Sequence, residues 1–267
     1  MCAPCLRGRS LAIALVATLG SCGRIDFVAN DRNDATSADA QLDAQLLDAN
    51  GDAAQLGPVI ATLTVDNAFS VMWDDGASAR MFMEGNISPT ISEIFDCPVG
   101  LGPAEFSIPV PVLPNAYLYI AAWADASTQA GFLGKFVRAG KTTLTGDAGW
   151  EVCAIGEFYA LSTTGPSAAR IFTAIEDCNR GINSASQGWL NAAGPVTPGA
   201  QGRLYVGDRN DGSGIWNLTC QNDATGRGIP EAARWIWWDP DDGIPPYDNG
   251  LNRTKAFHLY RIASTAL

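Results

Sequence analysis

The sequence predicts an all-β domain, an antiparallel β-sandwich or jelly roll with long loops, set behind an export signal and a disordered tether. Three observations carry that class. From Pro58 to Leu267, short runs alternate apolar and polar residues, as half-buried strands require. Gly, Pro, Asn and Asp collect between the runs, where chain reversals need them. No long stretch in between carries a helical period, and the length suits one domain that holds all eight Trp.

The chain begins with a secretory pattern. Arg7 and Arg9 make a short positive region, and residues 10–19 make an apolar stretch of about ten, too short for a membrane core that needs about 20. Leu19-Gly20-Ser21-Cys22 then closes it with small residues before a cysteine and resembles the bacterial lipobox. The resemblance implies that residues 1–21 are cut away and that Cys22 becomes the first mature residue, carrying several acyl chains, palmitate among them. Gly23 stands where an Asp would imply retention in the inner membrane, so the resemblance implies an outer-membrane lipoprotein, on the periplasmic or cell-surface side.

Residues 22–57 then form the lipidated cysteine and an Asp/Ala-rich tether. No aromatic residue lies between Phe27 and Pro58, and Asp31, Asp34, Asp39, Asp43, Asp48 and Asp52 spread negative charge along it. Too little apolar surface is present to offset the entropy of ordering. As coil it would reach about 30 to 35 Å.

Strands are expected over 59–65, 69–73, 80–84, 105–110, 117–124, 132–137, 150–155, 203–206, 234–238 and 257–262. Turn signals separate them, Asp75-Gly76 and Gly146-Asp147 among them, and Asp75-Gly76 suits a two-residue type I′ hairpin. One short helix is expected over 166–179, with Ala168, Ile171, Phe172 and Ile175 at three and four residue spacing. Around it, 162–202 is rich in Gly, Ser, Asn and Pro and reads as long loop.

Seven cysteines are awkward for an exported protein, but Cys2 and Cys5 leave with the signal and Cys22 takes lipid. Cys97, Cys153, Cys178 and Cys220 remain, an even set as two disulfides require. Zinc would favour close pairs, whereas these lie 56, 25 and 42 residues apart beside a single histidine. Three pairings are open; Cys178, bordering the long loop, is expected to join one of its flanking partners.

Seventeen bases against 28 acids give a net charge of −11, and loss of Arg7 and Arg9 leaves 15 bases and a mature charge of −13. Such a body is repelled by phosphate and gains no counterion release from it, which excludes nucleic acid as a partner and leaves membrane attachment to the lipid anchor.

Three segments resemble galactose-binding-like sandwich modules: 66–76 (DNAFSVMWDDG), the pair 121–124 (AAWA) and 130–133 (AGFL), and 233–237 (ARWIW). The likeness is in their order along the chain, and it implies the sandwich fold. These motifs are not the family's ligand contacts, so no binding residue carries over.

Aromatic rings near turns suit sugar stacking, and Trp189, Trp216 and Trp238 are the candidate ligand-binding residues. Along 235–238, a period of two sends Trp235 and Trp237 to one face and Ile236 and Trp238 to the other. Asp208-Arg209-Asn210-Asp211-Gly212 and Asp239-Pro240-Asp241-Asp242-Gly243 share the pattern D-x-[N/D]-D-G. Their oxygen ligands make Asp208, Asn210, Asp211, Asp239, Asp241 and Asp242 the candidate calcium set, although neither loop has EF-hand spacing. No other cofactor is expected. His258, the sole histidine, sits in an alternating strand without a nucleophile or zinc signature, and reads as structural. Acid pairs such as Glu151 with Glu157, or Glu176 with Asp177, have the chemistry for acid/base glycosidic work, which needs two of them placed across a cleft.

The chain is therefore expected to be no enzyme but a surface-anchored, non-catalytic binding module for glycan or another extracellular polymer. A structural or adhesive lipoprotein that binds other proteins is the alternative, and a glycan-active hydrolase comes third.

Overall fold

The computed structural model describes residues 56–87, 94–96, 103–123, 131–159, 165–220, 228–240 and 256–267. Residues 1–55, with the expected signal peptide, Cys22 and nearly all of the expected tether, lie outside these residues, as do Cys97, Asp241 and Asp242.

Two antiparallel sheets pack face to face, as an all-β sandwich. The first takes the order β11 (Arg203–Arg209), β12 (Arg234–Asp239), β6 (Gly131–Arg138), β1 (Val59–Asp66), β4 (Ala104–Ile108), with β7 (Lys141–Leu144) also paired to β6. The second runs β10 (Gly194–Pro195), β9 (Leu190–Asn191), β8 (Glu151–Phe158), β13 (Ala256–Ala263), β5 (Tyr117–Trp123), β2 (Ala68–Asp74), β3 (Ala79–Ile87). Ten of these strands lie where alternation places them. Three do not: β7 is a four-residue strand, and β9 and β10 have two residues each, too short for a period to register.

Side chains alternate between faces, so each sheet feeds two clusters. Val59, Ala61, Leu63 and Val65 of β1 meet Phe69 and Val71 of β2 and Leu118 and Ile120 of β5 in the core between the sheets. The intervening residues Met72, Tyr119, Ala121, Phe257 and Leu259 face outward from the second sheet, where the helix covers them. On the outer face of the first sheet Leu133 and Trp235 pack with Ile94, Phe95, Trp216 and Ile229. Trp216 stacks on Trp235 at 4.2 Å and 13°. Gly131 is what lets these rings reach β6, since a Cβ there would sit 2.6 Å from Trp235 and 3.0 Å from Trp216.

The helix α1 (Ala168–Arg180) follows Pro166 and starts at Ser167, whose hydroxyl accepts from Arg170 N. It ends at Gly181 in the left-handed region, with Gly181 N and Ile182 N bonded back to Cys178 O and Asp177 O. Ile171, Ala174, Ile175 and Cys178 form its buried face. Three links fasten it to the sheet. Arg170 grips Glu157 of β8 through both Nε (2.9 Å) and Nη2 (2.5 Å). Cys178 is bonded to Cys153 of β8, which is the flanking partner on its N-terminal side. Glu84 of β3 accepts from Ala168 N at 3.3 Å. Cys220 is also disulfide-bonded.

Two local expectations are corrected. Asp75-Gly76 does not form a two-residue hairpin: residues 75–78 make a wider loop, closed by Asp75 N to Ser78 O and by Asp75 Oδ1 accepting from Ala77 N and Ser78 N. Only Gly76 there has positive φ, whereas type I′ needs two such residues. That geometry appears instead at Ala139-Gly140 (φ 49° and 81°) between β6 and β7, where no Asn or Asp announces it. The stretch after α1 is also no open loop. Val196 N and Thr197 N bond to Trp189 O, Gln201 N bonds to Ser186 O, and Ser186, Trp189 and Leu190 are buried.

Candidate functional site

Arg261 is the only charged residue in β13, and with Phe257 and Leu259 it belongs to the face that looks toward α1. Its guanidinium lies between two rings, 4.4 Å from the centroid of Tyr117 and 4.1 Å from that of Trp189. Its Nε donates to Glu151 Oε2 at 2.6 Å, and Nη1 donates to Asn179 Oδ1 at 2.9 Å. The same Asn179 oxygen accepts from Trp189 Nε1 at 2.8 Å, so one amide ties the end of α1 to both groups. Arg261 Nη2 has no partner among the described residues.

A second anchor stands at the end of β2. Asp74 Oδ1 accepts from Tyr117 N (2.9 Å) and Gly76 N (3.1 Å), and Oδ2 accepts from Tyr119 Oη at 2.6 Å. Burial, and then the hydrogen bond to Asp74, push the Tyr119 phenol well above its ordinary value, so it stays a donor.

Between these anchors lies a cleft of about 530 Å³. Phe172, Ile175 and the Tyr117 ring supply apolar surface, and Ser78, Asn115, Glu176, Asn179 and Arg261 supply polar groups. Glu176, Asn115 and Ser78 are exposed. An apolar wall faced by amide, carboxylate, hydroxyl and guanidinium groups is what a hydroxyl-rich ring with one apolar face needs, and nothing in it is arranged as a nucleophile with its base.

The three tryptophans proposed as ligand contacts do not meet in this cleft or anywhere else. Trp189 is 1% exposed and works beneath the cleft, as support for Arg261. Trp216 is 4% exposed and covered by Trp235. These two rings offer no open face, because Trp189 packs against the Arg261 guanidinium and Trp216 against Trp235 and Phe95. Trp238 is partly exposed and lies 5.8 Å from His258 at the inter-sheet core. The faces of β12 also depart from strict alternation, since Ile236 and Trp237 share the main core while Trp235 faces outward.

The described calcium candidates are held by the protein itself. Asn210 is fully buried, its Nδ2 donating to Thr219 O and Ile229 O and its Oδ1 accepting from Thr219 N, which pins the loop after β11. Asp208 Oδ2 accepts from Ile215 N. Asp211 accepts from Ser213 Oγ and N, bonds that hold its carboxyl below the usual range. Asp239 takes both Nε and Nη2 of Arg203 at 3.0 Å. Among the described residues no group of three or more His, Cys, Asp or Glu is placed to hold a metal ion.

The acid pairs separate as well. Glu151 serves Arg261, Glu157 serves Arg170 and Tyr159, and Asp177 is buried against Arg180. Glu176 alone opens into the cleft. His258 is fully buried against Trp237 at 4.4 Å, and burial lowers its pKa to about 3. The cleft residues Asn115, Tyr117 and Asn179 carry no motif. Arg261 had one readable sign, a lone charge inside an otherwise buried strand.

Comparison with protein-family models, with curated proteins and with solved structures finds no match to this chain.

Proposed function

We propose that this is an exported lipoprotein, anchored to the outer membrane through acylated Cys22, whose sandwich is a non-catalytic binding module for glycan or another extracellular polymer. The observation that carries the reading is the cleft beside α1, which Tyr117 and Phe172 line together with Asn115, Glu176, Asn179 and Arg261. A pyranose buries its apolar face on such rings while its hydroxyls exchange hydrogen bonds with amides and acids. The lipobox-like Leu19-Gly20-Ser21-Cys22 and the acidic tether fit a domain held clear of a membrane. The stacking role passes from the three tryptophans to Tyr117 and Phe172.

The test is an array of extracellular polysaccharides probed with the full-length protein, with and without calcium. Binding to at least one polymer, lost on Tyr117→Ala, is expected. Binding that persists in Tyr117→Ala would move the site elsewhere, and calcium dependence would give the 208–212 and 239–243 loops a role.

A further inference from the structure

The cleft's charge and donor inventory narrows its ligand, and this step rests on the reading of the cleft as a glycan site. One cation and three anions bear on it. Arg261 is already paired to Glu151 at 2.6 Å. Asp74 has no basic partner, its two oxygens being taken by Tyr117 N, Gly76 N and Tyr119 Oη. Glu176 stands on the open rim as an acceptor. An anionic group entering here would meet net negative charge rather than a free guanidinium, on a mature body of charge −13. Yet donors are present: Arg261 Nη2 and the Asn179 amide nitrogen have no partner among the described residues, and both residues line the same cleft as the Glu176 acceptor. Adjacent hydroxyls on one ring each donate and accept, and they match a side-by-side set of flat donors and an acid.

The geometry points to a neutral sugar unit with vicinal hydroxyls as the ligand of this cleft, with Arg261 as a specificity-determining donor whose charge is cancelled by Glu151, and with uronate and sulfated polymers excluded. Arg261 is fit for this role because its plane is fixed. Two rings hold its faces, Glu151 takes Nε and Asn179 takes Nη1, so the Nη2 group between them is presented in one orientation.

The test titrates the full-length, oxidised protein with neutral hexose oligosaccharides and with uronate oligosaccharides of the same length. Tryptophan fluorescence provides the readout, since Trp189 underlies Arg261. The neutral ligand is expected to bind with an affinity that does not change between about 20 and 500 mM salt. The uronate is expected to bind about tenfold or more weaker, and to gain as salt screens the rim. Arg261→Lys, which keeps the charge and loses the fixed flat donor, should weaken the neutral ligand about tenfold. Glu176→Gln should narrow the gap between the two ligands several-fold, and as an exposed rim change it leaves the fold intact. Tighter binding of uronate, or neutral binding that falls as salt rises, overturns the inference while leaving the glycan reading in place. No binding of either class overturns both.

Discussion

Lowering the pH should destabilise this protein through one buried side chain. His258 is fully buried between the sheets, with neither ring nitrogen hydrogen-bonded among the described residues and with Trp237 packed against it. Burial lowers its pKa from 6.5 to about 3, because an imidazolium there would lose its hydration and gain no acceptor. The sign follows from proton binding. Between pH 6.5 and about 3 the unfolded chain holds a proton on His258 that the folded chain does not, so stability falls as pH falls. The contribution is fully present above pH 6.5 and is lost progressively below it. At about 1.36 kcal/mol per pH unit, acidification from pH 6.5 to 4 costs about 3 kcal/mol, a large share of a typical stability of 5 to 15 kcal/mol. Denaturant unfolding of the oxidised protein at several pH values, compared with His258→Leu, isolates the effect. Carboxylates whose pKa is depressed, such as Glu157 beside Arg170, also lose stability in acid, but they do so equally in both proteins. The stability difference between wild type and variant should shift against the wild type by about 3 kcal/mol between pH 6.5 and 4. Parallel curves would refute the reasoning, and would mean that His258 gains a proton partner or water on charging.

Removal of the Cys153–Cys178 bridge by serine substitution should cost on the order of 3 kcal/mol, as expected for a closed loop of 25 residues, and should weaken cleft binding because Asn179 follows Cys178 on the wall. Non-reducing peptide mapping should recover that bridge together with Cys97 joined to Cys220, the cysteine whose backbone N bonds to Phe95 O. Gly131→Ala, which places a methyl 2.6 Å from the Trp235 ring, should destabilise by about 1 to 3 kcal/mol, read as a lower thermal midpoint. Cys22→Ser should abolish labelling by a fatty-acid analogue and release the protein from the membrane fraction; retention without label would discard the anchor.

What the sequence determined by itself is what short-range physics controls. Alternation in 59–65 and 257–262 marks strands because side chains in an extended backbone leave on opposite faces. Ala168, Ile171, Phe172 and Ile175 mark a helix because its period acts within a few residues. Four cysteines spaced too widely for a zinc site, Cys97, Cys153, Cys178 and Cys220, point to disulfides before any pairing is known. Tertiary structure decided the rest. The strand order β8-β13-β5-β2 brings together Asp74, Tyr117, Glu151 and Arg261 from four separate parts of the chain, and α1 adds Glu176 and Asn179. Apart from Arg261, a lone charge in an otherwise buried strand, none of those residues is distinguishable locally from its neighbours, because a cleft is made by which strands lie side by side. The tryptophans mislead for the same reason. A large ring near a turn reads alike whether it is open to a ligand or closed over by another ring, and only the packing of Trp216 on Trp235 and of Trp189 beneath Arg261 tells the two apart.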